Sequence, residues 1–248
     1  MPGTMIITGG GRGIGAATAR LAAARGYAIA VNYAHDERAA DAVTAEIRAS
    51  GGAAIAIQAD VSREADVERL FRQAARELGP LSVLVNNAGI VDRQARVDEI
   101  HEARLQRMLA VNVVGSFLCA AAAVRSMSTR HGGRGGNIVN VSSAAAKYGS
   151  PGEYVDYAAS KAAIDTLTIG LAREVAAESI RVNAVRPGII DTEIHAQSGD
   201  PGRAQRLAPA LPMGRPGTAQ EVANAILWLV SDEAAYCTGT ILDVAGGR

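Results

Sequence analysis

Aromatic rings are scarce in this chain: they make up 4% of its 248 residues. A core without them must be packed by alanine, valine and isoleucine, and a hydrophobic fraction of 48% supplies enough of these for a full interior. Cysteine is nearly absent too. Cys119 and Cys237 both sit in apolar settings, which excludes a disulfide scaffold or a thiolate metal site and reads as two small core residues. The four histidines, His35, His101, His131 and His195, are scattered without ligand spacing, so no metal is expected. Net charge is zero, with 25 basic against 25 acidic residues, and nothing marks a nucleic-acid partner. The longest apolar runs, such as 118–124, are far too short to span a bilayer. No charged segment followed by a long apolar one opens the chain. A cytoplasmic protein with no membrane partner is therefore expected. Lysine is the rarest absence: of 25 basic residues, only Lys147 and Lys161 are lysines.

What is present has a rhythm. Strand-like runs at 5–8, 27–33, 54–58, 81–85, 137–141, 180–185 and 240–244 alternate with helical stretches at 16–24, 37–50, 62–78, 105–128, 157–179 and 219–230. Ser62 is the expected N-cap of the third helix. Short, near-continuous apolar strands between helices predict one α/β domain over residues 1–248, a doubly wound parallel sheet of about seven strands covered on both faces. Its binding crevice is expected beyond the C-terminal ends of the strands. Residues 189–216 break the rhythm with repeated glycine and proline, and are expected to form a lid there rather than a plain surface loop.

Two motifs carry chemistry. After the first strand comes Thr8-Gly9-Gly10-Gly11-Arg12-Gly13-Ile14-Gly15, then a helix. Glycines allow a tight turn and close approach of a pyrophosphate to the helix N-terminus, where unpaired N–H groups and the dipole favour an anion. The plainer reading is a flexible turn. The second motif is Tyr157 followed four residues later by Lys161, one turn apart on one helix face. A neighbouring ammonium favours the phenolate, which predicts a lowered phenol pKa and a proton donor or acceptor for alcohol and ketone chemistry. Alone, the pair also reads as an ordinary exposed i,i+4 contact.

The glycine loop, Asn86-Asn87-Ala88-Gly89, Ser142-Ser143, Tyr157-x-x-x-Lys161 and Pro187-Gly188 stand in an order and spacing that resemble the short-chain dehydrogenase/reductase family over essentially the whole chain. The resemblance implies a Rossmann-type fold, a nicotinamide cofactor and a homotetramer or homodimer, with residues 105–128 and the last helix-strand unit as interfaces. It implies Tyr157 as general acid/base, Lys161 as its charge partner, Ser143 as the hydrogen-bond donor to the substrate oxygen, and Asn112 as support for a water-linked proton path. The cofactor is expected along Gly9, Arg12, Gly13, Ile14 and Gly15, then Asn32 and Tyr33, Asp60 and Val61, and Asn87, Ala88 and Gly89. Pro187, Gly188, Ile190 and Thr192 complete that set, with Tyr157 and Lys161. Asp60 reads alternatively as a helix cap and Asn112 as a brace in a kinked helix.

Between Ser143 and Tyr157 the chain has one residue more than the commonest family spacing, which leaves open whether Ser142 or Ser143 faces the substrate. Tyr154 is a rival phenol, two turns from Lys161. The second strand ends without an acid, and Arg12 stands in the loop, so NADP(H) is favoured, with NAD(H) as the alternative. Asp36 and Glu37 are the residues that oppose this preference. The expected reaction is carbonyl–alcohol interconversion. Glu193, His195, Gln197, Asp200, Arg203 and Arg206 make the lid polar, which leans towards a sugar, polyol or other small polar ketone. The alternatives are reduction of a 3-oxoacyl thioester, or a sensor or scaffold that binds a dinucleotide without turnover.

Overall fold

The computed structural model describes residues 3–194 and 198–248. His195 and Gln197 of the expected lid lie outside the described residues. Nine strands appear among the described residues: β1 (Thr4–Ile7), β2 (Ala28–Tyr33), β3 (Ala54–Gln58), β4 (Leu81–Asn86), β5 (Gly136–Val141), β6 (Ile180–Pro187), β7 (Ile190–Asp191), β8 (Gly217–Thr218) and β9 (Ile241–Val244). Seven of them form a parallel sheet in the order β3-β2-β1-β4-β5-β6-β9. The order reverses between β1 and β4, which opens a crevice at their C-terminal ends.

Side chains alternate across each strand, and both sides are covered. Met5 and Ile7 of β1 join Val31, Val85 and Val139 in one apolar layer. Helices α1 (Gly13–Ala24), α2 (Glu37–Ala49) and the helix at Ala219–Val230 cover that layer. Ile6 points to the opposite layer, with Ile57, Leu84 and Ile138. That layer is covered by α3 (Glu64–Leu78), the helix at Gly115–Met127 and the helix at Val155–Val175. This double coverage is why the strands read as near-continuous apolar runs.

Three local expectations are corrected. Ser62 does not cap the third helix. α3 starts after Arg63 without a side-chain cap, and the Ser62 hydroxyl instead donates to Asp60 at 2.7 Å. The stretch 105–128 is not one regular helix: α4 (Glu102–Leu109) runs into a π turn at Ala110–Val114 before α5 (Gly115–Met127). Glu102–Met127 also has the length and apolarity of a bilayer span, 26 residues containing an 18-residue window of mean hydropathy 1.7, which the run 118–124 alone did not reveal. Its apolarity has a use in the fold, because Cys119, Ala122, Ala123 and Met127 pack into the layer beneath the sheet.

Further helices among the described residues are α6 (Ala145–Tyr148), α7 (Val155–Val175), α8 (Arg203–Leu207) and α9 (Ala219–Val230). The insertion between β6 and α9 contains the β7–β8 pair and α8. Thr192 lies over the glycine loop: a Cβ placed on Gly13 would stand 3.4 Å from the Thr192 Cβ. The insertion therefore begins as a cover over the crevice.

Candidate active site

The first wall is the β1–α1 loop. Gly9 and Gly13 have φ of +60° and +51°, a region that side chains rarely adopt. Gly15 is required by space: a Cβ there would stand 2.5 Å from the Gly9 carbonyl oxygen and 2.6 Å from the Asn87 amide nitrogen. No side chain caps α1, and no acid stands in its first turn. An uncapped N-terminus beneath a glycine cradle fits a phosphate group.

The end of β4 is laced to this loop. The Asn87 side-chain amide donates to the Thr8 and Gly9 carbonyls at 2.9 and 3.0 Å, and the Asn87 and Ala88 backbone N–H groups donate to the Thr8 hydroxyl at 3.0 Å each. Gly89 sits between two expected catalytic groups: a Cβ on it would lie 3.3 Å from Lys161 Nζ and 3.5 Å from Asn112 Oδ1.

The opposite wall is β5 and α7. Both Ser142 and Ser143 line the cleft, but they differ in what they bond. The Ser142 hydroxyl is buried and donates to the Lys161 carbonyl at 3.1 Å. Ser143 is the serine hydrogen-bonded to Tyr157. The phenol of Tyr157 is not lowered. Burial pushes its pKa above the usual 10, and the hydrogen bond with Ser143 opposes that shift only in part. This corrects the expectation that Lys161 dominates. The Lys161 nitrogen stands 5.7 Å from the Tyr157 ring centroid and donates instead to the Val141 carbonyl at 2.8 Å. Lys161 is itself buried, which lowers its pKa to about 8, with the nearby Asp165 carboxylate opposing the shift.

A cleft of about 290 Å³ gathers most of the expected residues: Gly9, Arg12, Gly13, Ile14, Asn87, Ala88, Gly89, Ser143, Tyr157, Lys161, Pro187, Gly188, Ile190 and Thr192. Six others lie outside its lining. Gly15 acts through close packing, as above. Asn32 is a correction: it is buried, its Oδ1 accepts from Gly9 N at 3.2 Å, and its amide donates to the Ala59 carbonyl at 3.0 Å, so it braces the loop from beneath. Tyr33 donates its hydroxyl to Glu37 at 3.1 Å. Asp60 accepts from the Ser62 N–H and hydroxyl, as a turn cap does, and Val61 is buried. Asn112 is fully buried in the π turn. Its Oδ1 accepts from Ile90 N at 2.8 Å, and its amide donates to the Ile90 carbonyl and the Ser160 hydroxyl at 3.0 Å each. Cys119 is inert, its thiol pushed by burial up to about 12.

Sequence reasoning missed part of the lining. Tyr148, Ser150, Arg203 and Arg248 face the same cleft. Only the extra residue before Tyr157 hinted at Ser150, and the polar lid hinted at Arg203.

Sheet, glycine loop and tyrosine–lysine pair define an oxidoreductase of Rossmann type. The comparisons agree. A family profile described as Enoyl-(Acyl carrier protein) reductase matches residues 9–248. An uncharacterized oxidoreductase of Escherichia coli strain K12, YgfF, is 54% identical over 243 residues, covering 98% of this chain and 98% of that protein. Among solved structures, a blue fluorescent protein from a metagenomic library in complex with NADPH superposes with a TM-score of 0.89 at 36% identity, covering 99% of this chain and 97% of that one. The 3-ketoacyl-(acyl-carrier-protein) reductase of Brucella melitensis, complexed with NADH, gives a TM-score of 0.91 at 32% identity, covering 99% and 98%. The chain belongs to the short-chain dehydrogenase/reductase family.

Proposed function

We propose that residues 1–248 act as one domain, an NADP(H)-preferring oxidoreductase that interconverts a carbonyl and a secondary alcohol. The observation that carries this reading is the half-buried Tyr157 phenol paired with Ser143, one helical turn before Lys161, at the wall of the cleft. A nicotinamide cofactor supplies or accepts the hydride when bound. Its phosphates fit the Gly9–Gly13–Gly15 cradle and the uncapped start of α1, and Asn87, Gly188, Ile190 and Thr192 line the path towards Lys161.

The chain's own groups handle the proton. In reduction Tyr157 donates its proton to the carbonyl oxygen, and in oxidation it takes one back. Burial holds the resting phenol protonated, which suits the donor role. Ser143 hydrogen-bonds the same oxygen as charge develops on it. Lys161 supplies positive charge, and Asn112 fixes the backbone at Ile90 beside it.

The Lys161 value sets a pH dependence. Burial lowers its pKa to about 8, so the charged fraction falls as pH rises through that value. The proposed role needs the charged form. The kcat/KM for reduction is therefore expected to decline above about pH 8. A steady-state pH profile that stays flat from 7 to 10 overturns the role given to Lys161.

Arg12 supports the preference for NADPH. It lines the cleft at the start of α1, half exposed, where a ribose 2′-phosphate would pair with its guanidinium. Asp36 stands 3.5 Å from it and caps α2 by accepting from Ala39 N, so part of its charge is already engaged. A screen of ketones, aldehydes and alcohols with both cofactors tests the whole reading. NADPH is expected to give the higher kcat/KM, and Arg12→Ala to shrink that preference by about 10- to 100-fold, the loss of one charged hydrogen-bonding partner. Equal use of NADH by the wild type removes the preference. Failure to turn over any carbonyl favours the non-catalytic dinucleotide sensor, against which the retained Tyr157 and Lys161 weigh.

The polar lid favours a small polar ketone or a sugar or polyol. The acyl-carrier names among the comparisons support 3-oxoacyl thioesters as the second reading. Exposed Leu105 and Leu109 on α4, Val114 in the π turn and Phe117 on α5, with Trp228 on α9, support a homotetramer or homodimer.

A further inference from the structure

Asp165 is a buried acid that the proposed reaction does not use. It follows Lys161 by four residues on α7, so the two side chains leave one face of the helix a turn apart, and both are buried. Arg186 of β6 approaches Asp165 from the sheet. Its Nε and its Nη2 both donate to Oδ2, at 3.0 and 2.8 Å. Oδ1 is buried and has no hydrogen-bond partner among the described residues. A carboxylate present only to hold Arg186 would meet the guanidinium with both oxygens, the fork-to-fork geometry of the strongest such pairs. A buried oxygen left without a donor calls for another explanation.

The charges alternate outward from the cleft. Arg186 reaches Asp243 of β9 at 3.6 Å, and Asp243 accepts from Lys147 of α6 at 2.7 Å. The Lys147 and Asp243 side chains are 42% and 38% exposed, against 19% and 10% for Arg186 and Asp165. Water screens the outer pair and acts little on the inner one. At the cleft end, the Lys161 nitrogen donates to the neutral Val141 carbonyl, and loss of solvent acts against its charge. The Asp165 carboxylate opposes that effect. The other elements packed on α7 supply no such charge. α4 presents Arg104, already paired with Asp156, and the π turn presents the neutral Asn112. α5 presents Cys119, whose thiol is pushed up to about 12, and β5 carries no titratable side chain. Glu178 lies at the far end of α7, where it accepts from Ser128.

We infer that Asp165 is a positioning residue for the proposed reaction: pinned by Arg186 with one oxygen free, its carboxylate is the counter-charge that keeps the Lys161 ammonium charged in the cleft wall. The inference rests on the role given to Lys161 above and adds the group that sustains it.

The scarcity of lysine makes a direct test possible. Lys147 and Lys161 are the only two lysines, so protein isotope-labelled at lysine Cε gives two side-chain NMR signals, and Lys147→Arg tells them apart. The pH titration of the Lys161 signal reads its ionisation without substrate or turnover. Asp165→Asn keeps the shape and removes the charge. It is expected to lower the Lys161 titration midpoint by about one pH unit, and to move the alkaline decline of kcat/KM down with it. Asp243→Asn disturbs the same chain from its solvated side and is expected to leave both midpoints within about 0.3 units of wild type. Midpoints do not depend on how much of a variant folds. A Lys161 midpoint that stays in place in Asp165→Asn overturns the inference, because a merely structural acid lowers activity without moving it. Equal shifts in the two variants overturn it as well, since the effect then belongs to the whole chain of charges. An alkaline decline that is present in the wild type and unmoved in Asp165→Asn overturns the inference alone. A wild-type kcat/KM that is flat while the Lys161 signal titrates overturns the reaction role of Lys161 and the inference with it.

Discussion

Replacing Tyr157 with phenylalanine is expected to lower kcat by about 10²–10⁴-fold, the usual contribution of a positioned proton donor. In barrier terms this is about 3–5 kcal/mol. Phenylalanine keeps the ring that lines the cleft wall, so α7 and the cofactor path stay in place. Only the proton and its hydrogen bond with Ser143 are removed. Cofactor affinity, read by titration of the variant with NADPH, is therefore expected to stay within about twofold of wild type, because the phosphate cradle is remote from the phenol. A variant that keeps near wild-type kcat refutes Tyr157 as the acid. A variant that loses cofactor binding as well shows that the phenol holds the cofactor rather than the proton.

The second large effect is on stability. Asp156, immediately before Tyr157, accepts two hydrogen bonds from Arg104: Nε to Oδ2 at 2.7 Å and Nη2 to Oδ1 at 3.1 Å. The side chains are 14% and 1% exposed. Arg104 also donates to the Arg93 carbonyl at 2.8 Å. One guanidinium thus ties α4, the segment after β4 and the first turn of α7. Truncating one partner of a buried ion pair leaves the other charge uncompensated, at a cost of about 3–5 kcal/mol. Asp156→Ala is therefore expected to lower Tm by on the order of 10 °C for a domain of this size. Calorimetry checks it. A shift under about 2 °C would mean that water or a neighbouring group replaces the carboxylate, and that the pair adds no net stability.

Much of the architecture was legible because parallel strands covered on both faces leave a local signature. Ile6 and Ile7 are neighbours in sequence and enter opposite apolar layers, so both had to be apolar. The glycine loop was legible for the same kind of reason. Gly9 and Gly13 need a left-handed backbone, and Gly15 has no space for a Cβ. Ser62 misled because a serine before a helix is a good cap in isolation, whereas the Asp60 carboxylate two residues away offered its hydroxyl a better acceptor. Asn32 misled similarly. Its place at the end of β2 pointed to a ligand contact, but the side chain is buried and bonds Gly9 N and the Ile57 and Ala59 carbonyls instead.

By itself the sequence determined the doubly wound sheet, the phosphate-binding turn and the one-turn spacing of Tyr157 and Lys161, because periodicity, glycine and helical pitch act between near neighbours along the chain. The tertiary structure alone decided the ionisation of those two groups, which serine meets the phenol, and the clasps Arg104–Asp156 and Arg203–Glu153, whose partners lie 52 and 50 residues apart. Burial and pairing are set by what folds over a residue from elsewhere in the chain. That is why a tyrosine expected to be made acidic by its neighbouring lysine is instead held protonated by the walls around it.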